Sequence, residues 1–351
     1  MLTRPRYTVK DVILWTRFEI LGFLAYAGVV AVLYVVAGCH ALQLPWAPLA
    51  VVGTAVAFIV GFQNNAAYGR IWEARKIWGG IVNTSRTFGM RVVDCVVDES
   101  GEGAASESEL QSERRTLIHR HIAWMGALRH AMREPRSWEV NELAKTNREW
   151  FAELPERVNT LRETLTPLLP ADELERVLSK SNKQTAILFE QSRHLRELKE
   201  RGRLWEFAFL ELQQTIETLF DHQGKSERIK NFPYPRQYAT LSFYFVRLFV
   251  ILIPFATIPE FWEVGLELDA QLPGAGRYFV WLAVPFAALI SWIFHVMERI
   301  GRVGENPFEG TPNDIPISSI SRGIEIDLRQ LLGEPESAMP AALPEHRGVQ
   351  I

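Results

Sequence analysis

The chain is poor in cysteine, in net charge and in catalytic signatures, and each shortage excludes something. Only Cys39 and Cys95 occur among 351 residues. They sit in stretches of different character, so no disulfide framework is indicated. Lys and Arg number 38 against 41 Asp and Glu, a formal net charge of −3. No global basic field therefore points to a nucleic-acid partner. HExxH, paired CxxC, GxSxG and Walker-type loops are all missing. Gly301, Gly304 and Gly310 are too sparse to cradle a phosphate. His119 and His121 are two apart and point to different faces of a helix, so they are not expected to share a metal. No β-hairpin signal stands out. The expectation is a protein that is not an enzyme and has no catalytic residues, cofactor or resident metal. No cleavable leader is evident, because the apolar run after Arg17 is too long for one and lacks a cleavage site.

What is present is apolar sequence at the two ends of the chain. Mean hydropathy is near zero, but that average hides four apolar windows flanking a charged block. Asp11 to Phe18 suits a short interfacial helix with Trp15 at headgroup level. Ile20–Cys39 has twenty residues without a charge, and Leu44–Phe62 has nineteen. At about 1.5 Å per helical residue each can cross a hydrocarbon core roughly 30 Å thick. The link His40–Gln43 makes the pair a hairpin. Ala239–Pro259 and Phe279–Met297 read as the third and fourth spans, with Pro285 as a kink. Arg247 interrupts the third, either as a functional residue or as a snorkelling one.

Between the pairs, 76–236 mixes charge with helical apolar spacing, notably in Thr116–Met132, Ser137–Asn159 and Glu173–Lys199. Asp98–Ser112 is acidic and small, and reads as a loop. The expected organisation is thus 1–75 with two spans, 76–236 helical and soluble, 237–300 with two more spans, and a polar tail at 301–351. Ile317–Leu332 reads as a helix, and 333–348 as disordered or wrapped on a neighbour. Basic residues cluster on one side: Arg4, Arg6, Lys10 and Arg17, then Arg70, Arg75, Lys76, Arg86 and Arg91, then Arg228, Lys230 and Arg236, then Arg299 and Arg302. The opposite loops hold His40, Glu260, Glu263, Glu267 and Asp269, with Arg277. The positive-inside rule puts both termini and the helical region in the cytosol.

Thr54, Phe58 and Phe62 recur at i, i+4, i+8, on one helix face. Such a stripe is either packing against neighbouring helices or a hydrophobic pore lining. Past Phe62 the sequence turns polar. Asn64 and Asn65 cannot face lipid cheaply, so they face protein or water.

These residues also carry a resemblance. GFQNNAAYGRIWEARKIWG, Gly61 to Gly79, is similar to the signature GFRNNAAYxRWWEARKLWG of bacterial bestrophins, with Gln63 for the usual Arg and Ile71 for an aromatic. GKSERIKNFPYPRQY, Gly224 to Tyr238, and GENPFEGTPNDIPISSISRGIEIDLRQLLG, Gly304 to Gly333, resemble two further family segments. The resemblance implies a mainly α-helical membrane protein of four transmembrane helices that assembles as a homopentamer. It implies passive conduction of small monovalent ions, with chloride favoured, through one axial pore. A monovalent-cation channel and a non-conducting scaffold are the alternatives.

By the same resemblance Thr54, Phe58 and Phe62 fall on the pore neck, with Thr54 more polar than the family norm. Phe207 falls on a cytosolic aperture, an offset of two selecting Trp205 or Phe209 instead, and burial in a helical bundle is the other reading of Phe207. The signature residues Asn64, Asn65, Arg70, Trp72 and Glu73 are expected to act structurally just inside the membrane. Glu73 is expected to pair with Arg70 or Lys76, and Trp72 and Trp78 to anchor the interface. Asp314 falls on one calcium-ligand position of the animal members. Thr311 stands where another aspartate is expected, so no strong calcium site is expected. The expected partners are further copies of the chain, the lipid bilayer and the permeant ions.

Overall fold

The computed structural model describes residues 1–98, 106–139, 154–274 and 276–351. Among them the regular structure is helical, with only isolated bridges such as Leu2 to Val349 outside helices. The helices are α1 Val9–Trp15, α2 Arg17–Val35, α3 Trp46–Cys95, α4 Glu107–Arg133, α5 Pro155–Val158, α6 Leu161–Leu165, α7 Ala171–Leu178, α8 Lys183–Glu200, α9 Glu206–Asn231, α10 Arg236–Gln271, α11 Gly276–Phe279, α12 Ala283–Val303 and α13 Ile317–Leu331. Most of the expected stretch Ser137–Asn159 lies outside the described residues.

Four helical stretches are long and apolar enough to cross a membrane: α2, α3, α10 and the α11–α12 stretch. Their limits differ from the apolar windows for local reasons. The first span stops at Val35, and Gly38 then reverses the chain with a φ of +64°. The second starts at Trp46 behind Pro45 and does not stop at Phe62. It runs on for 50 residues, about 75 Å, because no proline interrupts it past its first turn. The division at residue 75 therefore falls inside one helix. The third continues to Gln271, carrying Pro254 and Pro259 within it. Pro285 is not a mid-span kink. It sits in the first turn of α12, where a missing donor costs little, and the irregularity precedes it as a 3₁₀ turn at Val280–Leu282.

Two regions of packing follow. In the membrane half, α2, α3, α10 and α12 bury Ala27, Val56, Val60, Val246, Phe249 and Ile253 together. Gly53 admits the Phe249 ring, since a Cβ there would lie 2.6 Å from it. In the other half, α4 is the central helix, buried almost all round from Leu117 to Leu128. Trp78, Phe88 and Trp124 are fully buried there, each stabilising by about 1.5–3 kcal/mol relative to exposure.

Helix α4 begins well before the start that the periodicity suggests. Glu107–Ser112, read as loop, is its first turns, started by a reciprocal capping box between Ser106 and Glu109. The tail follows α13. It packs on its own chain: the Leu2 amide donates to Pro312 O at 2.7 Å, that of Gln350 to Met1 O at 2.9 Å, and that of Ser319 to Ile351 O at 2.7 Å. The two termini thus lie together, on one side of an even number of spans.

Candidate functional site

The site is one face of α3. Its other face is covered along its whole length, by α10 and α12 in the membrane half and by α9, α4 and α13 beyond it. The bare face carries Val51, Thr54, Phe58 and Phe62, then Asn65, Trp72, Lys76, Gly79 and Asn83, then Met90, all exposed. Phe58 is 64% and Phe62 71% exposed. Thr54, Phe58 and Phe62 therefore share a surface, and the other described helices of the same chain do not cover them. Thr54 donates its hydroxyl to Ala50 O at 3.0 Å, which leaves the oxygen to the surface only as an acceptor. Further along the helix, Tyr68 and Trp72 stack with planes 14° apart and centroids 6.4 Å apart.

The opposite face explains the dense signature. Gln63 is buried and donates to Glu305 Oε1 at 3.3 Å. Asn64 lies against Gly301 of α12, where a Cβ would come within 2.5 Å of Asn64 Oδ1. Arg70 donates from Nε to Glu305 O at 2.7 Å, and from Nη2 to Ile229 O at 2.7 Å and Phe232 O at 3.1 Å. The last turn of a helix leaves carbonyls without partners and carries partial negative charge. Arg70 satisfies two carbonyls at the end of α9 and one after α12, fixing three segments at the level where α3 leaves the apolar region.

Two expectations fail here. Glu73 pairs with Arg228 of α9, not with Arg70 or Lys76. Arg70 is committed to fixed carbonyls, and a solvent-exposed pair one turn away is worth only tenths of a kcal/mol. Trp78 is no interface anchor: it is fully buried against Phe308, with ring centroids 6.4 Å apart. Trp72 does remain exposed.

Glu305 is the residue that sequence reading missed. It joins Gln63, Arg70 through its carbonyl, and Arg236 at 3.4 Å. Burial pushes its carboxyl above the ordinary range, against the pull of Arg236. Its position directly before the NPF triplet was the available signal.

The NPF turn is self-contained. Asp314 is buried and accepts from the Gly310 amide at 2.7 Å, the Thr311 amide at 2.8 Å and the Thr311 hydroxyl at 2.6 Å. Thr311 thus uses the carboxylate internally instead of adding a second one. Arg133 donates to Phe308 O at 2.5 Å. Neighbouring Glu309 has its carboxyl pushed up to about 8 by burial and by Asp314 and Glu139. Among the described residues no three His, Cys, Asp or Glu side chains are placed to hold a metal. His119 instead meets Glu334 at 2.7 Å, while His121 stacks on Phe88 at 4.9 Å.

Phe207 lies far along the chain from Phe58 and Phe62, in the first turn of α9, 66% exposed and edge-on to Trp205 at 5.4 Å. Phe209 is half-buried. Arg247 turns back along α10 to lie over Phe243 at 4.0 Å, a ring shared with Arg302 at 5.4 Å. That places its charge toward the end of the span where the other arginines lie, as a snorkelling side chain requires.

Four apolar helical stretches, a continuous helix with one bare face, and a helical half built on its buried side define a multi-pass membrane protein. Residues 7–267 and 271–330 match the family model for the Bacterial/Fungal Bestrophin protein, and the chain belongs to that family. It is 27% identical over 319 residues to the voltage-dependent anion channel-forming protein YneE of Escherichia coli K12, covering 88% of this chain and 86% of that one. It is 26% identical over 305 residues to the voltage-dependent anion channel-forming protein RSc3414 of Ralstonia nicotianae, covering 86% and 82%. Its fold matches the crystal structure of a bacterial bestrophin homologue from Klebsiella pneumoniae. That match has a TM-score of 0.68 at 21% identity, covering 91% of this chain and 98% of the other.

Proposed function

We propose that the chain is a passive channel for small monovalent anions, chloride among them, and not an enzyme. Copies assemble around an axis lined by the bare face of α3, and the family's fivefold arrangement fits this chain. The observation that carries the reading is the extent of that face. A lipid-facing surface would be expected to end near Phe62, where Asn65 begins the polar stretch. This face stays uncovered through Lys76, Asn83 and Met90, well past the apolar region. A surface bare on both sides of the membrane boundary suits a water-filled path with an apolar constriction at Phe58 and Phe62. Phe207, bare at the far end of the helical half, is then a second narrow point.

Anions are favoured over cations by the relatives' names and by the chain's own charge arrangement. Of the four exposed carboxylates on α9 three are paired, Glu206 with Lys199 at 2.5 Å, Glu211 with Arg91 at 3.4 Å and Asp221 with Lys225 at 2.5 Å, while Glu217 makes no ion pair among the described residues. Aromatic edges carry partial positive charge and can pass an anion through the neck. Both termini and the helical half lie on the cytosolic side of the bacterial inner membrane, by the basic-residue asymmetry. No resident calcium is proposed, since Asp314 spends both oxygens on its own turn.

Phe62→Ala tests the reading in planar bilayers. A wider, less apolar neck raises the current at a given protein density. Unchanged current with unchanged assembly would remove Phe62 from the pathway.

A further inference from the structure

Phe207 and Trp205 follow directly on the turn from α8 to α9, and a carboxylate of α4 ties that turn down. Gly202 takes a φ of +66°, the left-handed conformation that lets α8 end and the chain reverse. On either side of it, Arg201 and Arg203 reach back to Glu113 on α4. Glu113 Oε1 accepts from Arg201 Nη1 at 2.8 Å and from Arg203 Nη1 at 3.1 Å. Its Oε2 faces His194 Nε2 at 2.7 Å.

The protonation of His194 follows from its other neighbour. Arg120 Nη1 lies 2.9 Å from His194 Nδ1, and a guanidinium only donates. Nδ1 must therefore accept, and Nε2 carries the hydrogen toward Glu113. Arg120 is itself fixed by Glu173 at 2.6 and 2.8 Å. One carboxylate on a buried helix thus collects donors from α8, from its cap and from the turn. Burial works against the Glu113 charge, but His194 and Arg201 outweigh it and hold the carboxyl below its ordinary range. Two other ties act at the turn, a backbone bond from Val97 N to Arg203 O at 3.1 Å and the Lys199–Glu206 ion pair at 2.5 Å. Glu109 also pairs with Arg203, at the longer distance of 3.7 Å.

We propose that Glu113 is the positioning residue of the cytosolic aperture: it fixes the α8–α9 turn and thereby the place of Phe207. The proposal rests on reading Phe207 as a narrow point of the path. Buried leucines on both helices, Leu195, Leu198 and Leu212, hold the bundle without it. Glu113→Gln keeps the volume but not the charge. Its amide turns one donor toward His194 or the arginines, and Arg201 and Arg203 then repel each other across Gly202.

The test uses purified full-length protein and two readouts. In hydrogen exchange, Glu113→Gln is expected to speed the amides of 201–207 about tenfold or more, with those of α2 and α10 unchanged. In bilayers it is expected to raise single-channel conductance toward the value of Phe207→Ala, and to add nothing in the Phe207→Ala background. A general structural defect would instead lower channel number in both backgrounds. Unchanged exchange at 201–207 overturns the proposal. So does an effect of Glu113→Gln that persists undiminished beside Phe207→Ala. If the wild type passes no current, the channel reading itself fails, and the exchange measurement still decides whether Glu113 holds the turn.

Discussion

Arg70 Nη2 donates to the Ile229 carbonyl at 2.7 Å, and this contact joins α3 to the end of α9 across 159 positions of sequence. The same guanidinium reaches Phe232 O and Glu305 O. It gives the most conspicuous motif of the chain a physical reason. The signature is the set of residues through which one long helix, bare on one side, is held on the other.

Arg70→Lys should therefore be costly although it keeps the charge. A lysine cannot serve three carbonyls in a fixed fork. Losing charge-assisted bonds at partly buried carbonyls costs about 1.5–3 kcal/mol for each bond. Thermal unfolding of detergent-purified protein should show a clear drop in midpoint for Arg70→Lys and a smaller one for Glu73→Ala, whose pair with Arg228 is exposed. Equal drops would contradict the assignment.

His121 makes the helical half sensitive to acid. It is fully buried against Phe88 and Trp124, and burial lowers its pKa to about 3. The unfolded chain binds this proton near 6.5, so between about 6.5 and 3 the unfolded state holds more protons than the folded one. Stability therefore falls as pH drops through that window, by about 1.4 kcal/mol per pH unit from this group. His121→Phe, a neutral ring in the same place, should flatten the decline between about pH 6.5 and 5 in thermal melts. An undiminished slope would assign the effect elsewhere.

Calcium should neither bind tightly nor be needed. The Asp314 oxygens are occupied by Gly310 and Thr311, and a calcium cage needs several free oxygen ligands. Calorimetric titration should show no micromolar binding, and chelator should leave any current unchanged. Asp314→Ala should lower stability, by stranding buried donors on Gly310 and Thr311. Micromolar binding abolished by Asp314→Ala would reverse this account.

The spans were legible because twenty uncharged residues have few alternatives to crossing a membrane. Their ends were not, because helix termini depend on local breakers such as Gly38 and not on where hydrophobicity fades. Trp78 was legible in principle. It shares its face with Ala74, Ile81, Ser85 and Phe88, a buried stripe at helical spacing. The start of α4 was hidden because its capping box lies inside an acidic run that also suits a loop. Glu305 and Arg228 were invisible as partners, since pairing across 235 and 155 residues leaves no local trace. The face holding Thr54, Phe58 and Phe62 was legible as a stripe, and only the structure shows that none of the described residues covers it.

The most direct measurement of the central claim is the reversal potential of purified protein in a planar bilayer under a potassium chloride gradient. The account predicts a current that reverses near the chloride equilibrium potential and grows with Phe62→Ala. Reversal near the potassium value would contradict anion conduction and shift attention to the carboxylates along α9, and no current at all would contradict the pore.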